Sequence, residues 1–330
     1  MCLRITSVLI AFLLMLCAFI GCGSPTPTET DNESLLELAD EVGVNRMMEV
    51  IEYLSSPELG GRPTGSPQSA QVEDYLENKL RDIGLDAVGQ MGMQGYRQEF
   101  QVPPERCFLE NPPAPDQPVI AANILGEIPG QASDEMIIIT ANYDGLGKDV
   151  ETGDIYPGAD YNASGVSSAL EIATILSAQD KTPEKTLVFA LLGAEECGGY
   201  GSQALAEALE TRDLKNSVHI INLEGLGAGD GDYMDLWDLK YRKNRPVVKA
   251  VDEAASMLDV VLELGGSDPG TSASVFFLYH IPAVTCDWSW FERDEHPDFH
   301  LPSDLPERIN RTGLLEVTRV VVVATWILGG

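Results

Sequence analysis

Short apolar runs alternate with longer amphipathic segments from residue 119 to the end of the chain. The short runs predict buried strands, and the longer segments have the spacing of apolar residues that helices show. Strands that alternate with helices are typical of an α/β domain whose largely parallel sheet is covered on both faces. We therefore expect one domain over 34–330, an α/β three-layer sandwich with a mostly parallel mixed sheet. The predicted strands are Val119–Leu125, Met136–Ala141, Thr186–Leu192, Val218–Leu223 and Ile281–Cys286, and the predicted helices are Ser164–Ala178, Ser202–Leu209, Arg245–Leu258 and Asn310–Leu328.

The N-terminal segment predicts export. Arg4 is followed by an apolar run from Ile5 to Ile20, which only Thr6 and Ser7 interrupt. A charged start and a short apolar core are typical of a secretory signal. The alternative is an uncleaved membrane anchor, although the run is at the short end for spanning a bilayer.

The apolar run ends at Gly21-Cys22, which resembles the bacterial lipobox, in which the cysteine is acylated and becomes the mature N-terminus. Acyl chains on Cys22 would hold the protein to a membrane. The following residues are too polar and proline-rich to form a core. The sequence thus predicts a signal peptide over 1–21, a lipidated Cys22 with a flexible tether over 22–33, and an exported protein of the bacterial cell envelope.

The cysteines of the mature chain allow at most one disulfide. If Cys22 is lipidated, three cysteines remain in the mature chain, Cys107, Cys197 and Cys286. Three thiols allow at most one disulfide within the chain, and the sequence does not say which pair would form it.

Charge argues against one class of partner. The chain has 21 Lys and Arg residues and 52 Asp and Glu residues, which gives a formal net charge of −31. A surface this acidic repels phosphate backbones, so we expect no nucleic-acid partner. A stretch that is both acidic and aromatic, Asp230–Tyr241, looks like an insertion that could serve as a lid or a partner surface.

Polar side chains follow three of the predicted strands. Asn142 and Asp144 follow the second strand, Glu195 and Glu196 follow the third, and Glu224 follows the fourth. Open α/β sheets hold their ligands at the carboxyl ends of the strands, so we expect these side chains to form a site. The chain contains no Gly-x-Ser-x-Gly segment, so the usual α/β serine hydrolase is unsupported.

Five segments around these strand ends resemble a known family. In chain order they are Ala141-Asn-Tyr-Asp-Gly-Leu-Gly147, Pro157-Gly-Ala-Asp-Tyr-Asn-Ala-Ser-Gly165, Ala194-Glu-Glu-Cys-Gly-Gly-Tyr-Gly-Ser202, Ile221-Asn-Leu-Glu-Gly-Leu-Gly227 and Phe299-His-Leu-Pro-Ser-Asp304. Their order and spacing resemble the zinc-dependent aminopeptidase family, whose superfamily also contains glutamate carboxypeptidase and the transferrin receptor. The resemblance implies a zinc-aminopeptidase-like fold, a peptide or protein substrate, and two zinc ions that clamp a water molecule.

The resemblance also implies roles for individual residues. Glu195 matches the general base, while Glu196 and His300 match ligands of the first metal ion. Glu224 stands where an aspartate ligand of the second ion is expected, and it adds one methylene. Asp144 matches a carboxylate that would orient the histidine ligand from behind.

Three positions depart from the family pattern. Asn142 stands where a histidine ligand of the second ion belongs, and an amide oxygen is a weak zinc ligand. Tyr161 stands where an aspartate bridges both ions, and a phenol is neutral near pH 7 unless a metal ion ionises it. Ser272-Ala273 stands where the family often has Ser-Asp-His.

Charge counting then predicts at most one metal ion. The family's three carboxylate ligands partly balance two zinc ions, whereas Glu196 and Glu224 carry the two charges that one divalent ion needs. We expect one zinc ion, held by Glu196, His300, Glu224 and Tyr161. His296 is a less favoured substitute ligand.

Two functions remain open from the sequence. The first is a membrane-anchored exopeptidase of the aminopeptidase type with an altered, one-metal site. The second is a lipoprotein that keeps the peptidase fold and binds peptides or proteins without cleaving them, as the transferrin receptor shows the superfamily can do. A zinc-dependent glutaminyl cyclase is a third option, which the tyrosine at position 161 disfavours.

Overall fold

An eight-stranded mixed sheet forms the centre of the structure, a computed structural model that describes residues 29–227, 233–266, 270–288 and 297–330. The helices are α1 (Glu29–Asp40), α2 (Val44–Leu54), α3 (Pro67–Ile83), α4 (Gly165–Ser177), α5 (Tyr200–Thr211), α6 (Arg245–Met257), α7 (Ser272–Leu278) and α8 (Arg311–Gly329). The strands are β1 (Arg97–Val102), β2 (Val119–Ile128), β3 (Ala132–Asn142), β4 (Lys185–Leu192), β5 (Val218–Leu223), β6 (Met234–Trp237), β7 (Leu262–Gly265) and β8 (Ala283–Trp288).

The strand order is β1-β2-β4-β3-β5-β8-β6-β7. The four central strands, β4, β3, β5 and β8, are parallel to one another. Antiparallel pairs join β1 to β2, β2 to β4, and β6 to β8. The carboxyl ends of the central strands therefore meet at one edge of the sheet, as the sequence predicted.

Helices cover both faces of the sheet, which confirms the α/β sandwich. Along β3, Ile137 and Ile139 belong to a large apolar core with α1, α2, α3, α4, α6 and α8. Met136 and Ile138 belong to a second core with α5 and α7. This division follows from strand geometry, because successive side chains point to opposite faces.

All five predicted strands are present, and the four predicted helices appear with ends shifted by a few residues. The sequence reasoning missed β1, β6, β7 and α7. The strand β1 is polar and lies at an edge of the sheet, so it lacks the apolar run that identified the others. The strands β6 and β7 have four residues each, which is too short to show a period.

The acidic, aromatic stretch 230–241 is not a lid in its described part. Residues 234–237 form β6, whose four side chains are all buried, and β6 pairs with β8 inside the sheet. Trp288, the last residue of β8, is 3% exposed and packs in the larger core. Residues 230–232 of that stretch and His296 lie outside the described residues.

The last helix is a core helix. Within the described ranges, α8 is the one helix long and apolar enough to cross a membrane, but 72% of its most apolar window is buried in the protein. It packs against α1, α4 and α6. Its apolar length is therefore explained by burial within the domain.

The predicted signal peptide over 1–21 and Cys22 lie outside the described residues. The helix α1 begins at Glu29, inside the segment predicted as a tether over 22–33. Its first buried side chain is Leu35, so packing into the domain starts close to the predicted boundary at residue 34.

Candidate active site

A cavity of about 390 Å³ opens at the carboxyl ends of β3, β4 and β5. The sheet brings the predicted residues to this point because β3 ends at Asn142, the β4–α5 loop carries Glu195 and Glu196, and Glu224 follows β5. Six of the predicted site residues line the cavity: Asn142, Tyr161, Glu195, Glu196, Glu224 and His300.

Asp144 lies behind the cavity and holds the Glu195–Glu196 loop. Its Oδ1 accepts a hydrogen bond from the Glu195 N–H and its Oδ2 accepts one from the Glu196 N–H, both at 3.1 Å. Thr64 Oγ1 donates to the same carboxylate at 3.0 Å. Burial, together with the charges of Glu196 and Glu195, raises the pKa of Asp144 well above its usual range. Asp144 therefore fixes the backbone of the Glu195–Glu196 loop, a contact that the resemblance had not indicated.

Glu195 is held by two donors inside the cavity wall. Its Oε1 accepts a hydrogen bond from the Ser202 N–H at 2.6 Å, in the first turn of α5. Its Oε2 accepts one from Ser272 Oγ at 2.5 Å. Burial raises the pKa of the Glu195 carboxyl, and the two serine donors oppose this shift. A carboxylate with a raised pKa is suited to taking a proton near neutral pH.

Glu224 is buried, and both of its carboxylate oxygens accept hydrogen bonds. Its Oε1 accepts hydrogen bonds from Asn222 Nδ2 at 2.7 Å and from the Ser272 N–H at 3.1 Å. Its Oε2 accepts one from the Tyr161 hydroxyl at 2.8 Å. Burial raises the pKa of Glu224 to about 7 despite these donors.

Ser272 thus joins two carboxylates, because its hydroxyl donates to Glu195 and its N–H donates to Glu224. The sequence singled out position 272 only as a departure from the family pattern. Its contact with Glu195 crosses 77 residues of sequence, which no local pattern can reveal.

Tyr161 replaces a carboxylate with a neutral phenol. Burial and the charge of Glu224 raise the pKa of its hydroxyl well above the usual value, so it keeps its proton and donates to Glu224. Its ring packs edge-on against Phe299, with centroids 4.6 Å apart, and against His300, with centroids 5.2 Å apart. The tyrosine therefore fills the centre of the cavity wall between Glu224 and His300.

Asn142 is engaged by the protein. Its Oδ1 accepts a hydrogen bond from Asn162 Nδ2 at 2.8 Å. Asn162 Nδ2 also donates to the Leu223 carbonyl at 2.8 Å. Asn142 is 2% exposed. An amide oxygen already bonded in this way is a poor candidate for a zinc ligand.

Glu196 and His300 form the pair best suited to a metal ion. The distance between His300 Nε2 and Glu196 Oε2 is 3.4 Å. Nε2 is buried and has no hydrogen-bond partner among the described residues. Two ligands of one tetrahedral zinc ion, each about 2.0–2.1 Å from it, lie about 3.3 Å apart. The pair therefore fits two corners of such a site.

The described residues contain no group of three or more His, Cys, Asp or Glu side chains set to hold a metal ion. The second ion would need Asn142 and Tyr161, whose side chains are bonded to Asn162 and Glu224. The number of ions, and the ligand set of Glu196, His300, Glu224 and Tyr161, stay predictions.

Arg62 supports the site from below and was missed by the sequence reasoning. It is fully buried, and its guanidinium donates to the Tyr143 carbonyl at 2.7 Å and to the Gly158 carbonyl at 2.8 Å. It also donates to the carbonyls of Leu54 and Pro157. Burial lowers the pKa of Arg62, and the nearby charges of Asp304, Asp144 and Glu196 oppose this. The buried cation ties the loops before Asp144 and Tyr161 together.

Comparison with known proteins gives a family match and proteins of similar fold. Residues 123–325 match the family described as "Peptidase family M28". A probable zinc metalloprotease of Leptosphaeria maculans is 27% identical over 64% of this chain and 47% of its own length. The aminopeptidase YwaD of Bacillus subtilis is 26% identical over 58% of this chain and 41% of its own length. The aminopeptidase from Aneurinibacillus sp. strain AM-1 has a similar structure, with a TM-score of 0.71 at 16% identity over 88% of this chain and 95% of that one.

The extent of these matches differs between sequence and structure. The chain spans less than half the length of the first curated relatives it matches. The structural match covers most of both chains. Because the sequence identity is low, this match shows a shared fold only. The family match spans β3, β4, β5 and β8, the strands that build the cavity.

Proposed function

This chain belongs to peptidase family M28, and we propose that it is an exopeptidase of the aminopeptidase type that works with one zinc ion. The observation that carries the proposal is the pairing of Glu196 with His300, whose Nε2 is buried without a hydrogen-bond partner among the described residues. A zinc ion bound there would polarise a peptide carbonyl and lower the pKa of water.

Glu195 serves as the base in this proposal. It lines the cavity beside Glu196 without belonging to the proposed ligand pair. The donors Ser202 and Ser272 fix its orientation, so its carboxylate can accept a proton from attacking water and pass it to the leaving amine. Asp144 keeps Glu195 and Glu196 in register by holding both of their N–H groups.

The proposed ligand set also includes Glu224 and Tyr161. Both line the same cavity, and the hydrogen bond between them keeps them on one wall. The tyrosine side chain has one oxygen, whereas a carboxylate can bridge two ions with its two oxygens. This wall of the cavity is therefore suited to one ion. The extra methylene of Glu224, compared with the aspartate of the family pattern, gives its carboxylate a longer reach.

Membrane anchoring is the second part of the proposal. Arg4, the apolar run and Gly21-Cys22 support export and lipidation at Cys22. The segment between Cys22 and Leu35 would then separate the folded domain from the membrane of the bacterial envelope. The substrates in this setting are peptides or proteins outside the cytoplasm.

A second candidate function is peptide binding without cleavage. The observation in its favour is that Asn142 and Tyr161 are bonded to Asn162 and Glu224, where a two-zinc peptidase needs free ligands. The cavity and its carboxylates would then bind the amino group of a peptide N-terminus by charge.

Release of N-terminal residues from aminoacyl chromogenic peptides separates the two functions. The zinc-loaded wild type should release the chromophore, and Glu195→Gln should lower the rate about 100-fold or more while it keeps its zinc. Glu52→Gln, on the exposed face of α2, is the matched control and should match the wild type. If the zinc-loaded wild type binds the peptide and does not release the chromophore, the proposed exopeptidase activity is wrong and peptide binding without cleavage is favoured.

A further inference from the structure

Two cysteines meet behind the Glu195–Glu196 loop. Cys107 and Cys197 are both buried, and both belong to a small apolar cluster that is separate from the two main cores. Cys197 directly follows Glu196, and Cys107 follows a single helical turn after β1. The remaining members of this cluster are Val102, Val119, Ala121 and Ala194.

The two cysteines are buried in the same six-residue cluster, and their side chains interact with each other. The Cys107 thiol also donates a hydrogen bond to the Pro103 carbonyl at 3.8 Å. Cys286 is completely buried in the larger core, in β8, and has no place in this cluster. Among the cysteines in the described ranges, Cys107 and Cys197 are therefore the pair that shares one buried cluster. The topology thus selects one of the three pairings that the sequence left open.

We propose that Cys107 and Cys197 are a modification site, at which an oxidising compartment forms a disulfide that fastens the Glu195–Glu196 loop to the segment after β1. The oxidant is a disulfide, either small, such as oxidised glutathione, or carried by an oxidoreductase of the cell envelope. This inference is independent of the proposed peptidase activity, and it rests on the proposed export for its oxidising compartment.

The chemistry proceeds by thiol–disulfide exchange in two steps. The Cys107 thiolate attacks one sulfur of oxidised glutathione, which breaks its S–S bond and releases one glutathione thiolate. The Cys197 thiolate then attacks the Cys107 sulfur, which forms the protein disulfide and releases the second glutathione thiolate. The two protein thiols lose two electrons and two protons. Two molecules of reduced glutathione take up these electrons and protons.

The surroundings assign the order of attack. Cys107 is the more accessible of the two thiols, at 9% exposure against 3% for Cys197. Cys107 therefore reacts first with the oxidant, and Cys197 completes the bond from inside the cluster.

The bond would act on the site through the backbone. It joins two positions separated by roughly 90 residues, so it removes much conformational freedom from the unfolded chain. In the folded state it would restrain Cys197, and with it the neighbouring Glu196. This restraint adds to the two hydrogen bonds by which Asp144 holds the same loop.

Peptide mapping tests the proposal. The purified full chain is equilibrated with excess oxidised glutathione, alkylated in denaturant, digested without reductant and analysed by mass spectrometry. We expect one peptide pair linked through Cys107 and Cys197, which separates after reduction, while Cys286 is alkylated. Cys286→Ala is the matched control and should give the same linked pair. In Cys107→Ala, Cys197 should be alkylated.

Thermal unfolding gives a second readout that does not depend on mutants. The Tm of the oxidised wild type should exceed that of the reduced wild type by an amount on the order of 5 °C. Alkylation of both Cys107 and Cys197 after equilibration, or a link from either of them to Cys286 or Cys22, would overturn the proposal. An oxidised form with the same Tm as the reduced form would overturn the proposed restraint of the loop.

Discussion

The Tyr161 hydroxyl donates a hydrogen bond to Glu224 Oε2 at 2.8 Å. These two residues stand where the family pattern has a bridging aspartate and an aspartate ligand of the second zinc ion. The contact satisfies one oxygen of a buried carboxylate within the protein. The proposal of a one-ion site rests in part on this neutral phenol, which cannot bridge two ions as a carboxylate does.

Loss of His300 should abolish zinc binding. His300 is the imidazole at a matched ligand position, and its Nε2 lies 3.4 Å from Glu196 Oε2. We expect His300→Ala to lose bound zinc in elemental analysis while its thermal unfolding stays cooperative. His280→Ala, at an exposed position, is the control and should bind as the wild type does. Full zinc content in His300→Ala would show that the ion binds elsewhere.

Rebuilding the family's ligands should create a second metal site. The double change Asn142→His and Tyr161→Asp supplies an imidazole and a bridging carboxylate, and it adds one negative charge. We expect two zinc ions per chain and aminopeptidase activity well above that of the wild type. Each single change should do little, since a second ion needs both its own ligand and the bridge.

Two results would count against this account of the double variant. A wild type that already cleaves as fast as the double variant would show that Asn142 and Tyr161 are tolerated. A double variant that binds two ions and stays inactive would place the defect in the substrate pocket, where Ser272 contacts Glu195.

Asp287 should make stability depend on pH. It is fully buried, accepts a hydrogen bond from Trp237 Nε1 at 2.8 Å and lies opposite Asp235 in the sheet. Burial, with the charge of Asp235, raises the pKa of Asp287 well above its usual range. The folded state then binds the proton more tightly than the unfolded state, so stability is lost as the pH rises above about 3.9.

Asp287→Asn should therefore raise the Tm at pH 7 by a few °C, because the folded state no longer has to hold a proton that the unfolded state releases. The gain should shrink as the pH falls towards 4, where the wild-type carboxyl is protonated. Asp252→Asn, exposed on α6, is the control and should leave the Tm unchanged. An equal gain at both pH values would contradict the titration of Asp287.

Lipidation should be visible at the N-terminus. Mass spectrometry of the protein extracted from the membranes of its host should find an acylated N-terminus at Cys22, because Gly21-Cys22 ends a short apolar signal. Cys22→Ser should be released from membranes. Recovery of an unmodified chain that still begins at Met1 would contradict export by this route.

The sheet and the strand-end residues could be predicted because they depend on local patterns. The apolar runs that became β3, β4 and β5 are continuous, and Asn142, Glu195 and Glu224 follow them directly. The edge strand β1 could not be found in this way, since it is partly exposed and four of its six residues are polar.

The contacts that decide the site's chemistry join residues far apart in sequence. Arg62 reaches the Tyr143 carbonyl across 81 residues, and Tyr161 reaches Glu224 across 63. The resemblance identified the positions of Tyr161 and Glu224, but the hydrogen bond between them depends on tertiary packing. The resemblance predicted that Asp144 orients a histidine. The hydrogen bonds that it accepts from the Glu195 and Glu196 N–H groups depend on tertiary packing and could not be predicted.

The zinc content of the wild-type chain tests the central claim most directly. The protein is equilibrated with excess zinc, separated from loosely bound metal by gel filtration and analysed for zinc per chain. The account predicts at most one ion, because the described residues offer Glu196 and His300 as one matched ligand pair while Tyr161 is bonded to Glu224. Two tightly bound zinc ions per wild-type chain would contradict it.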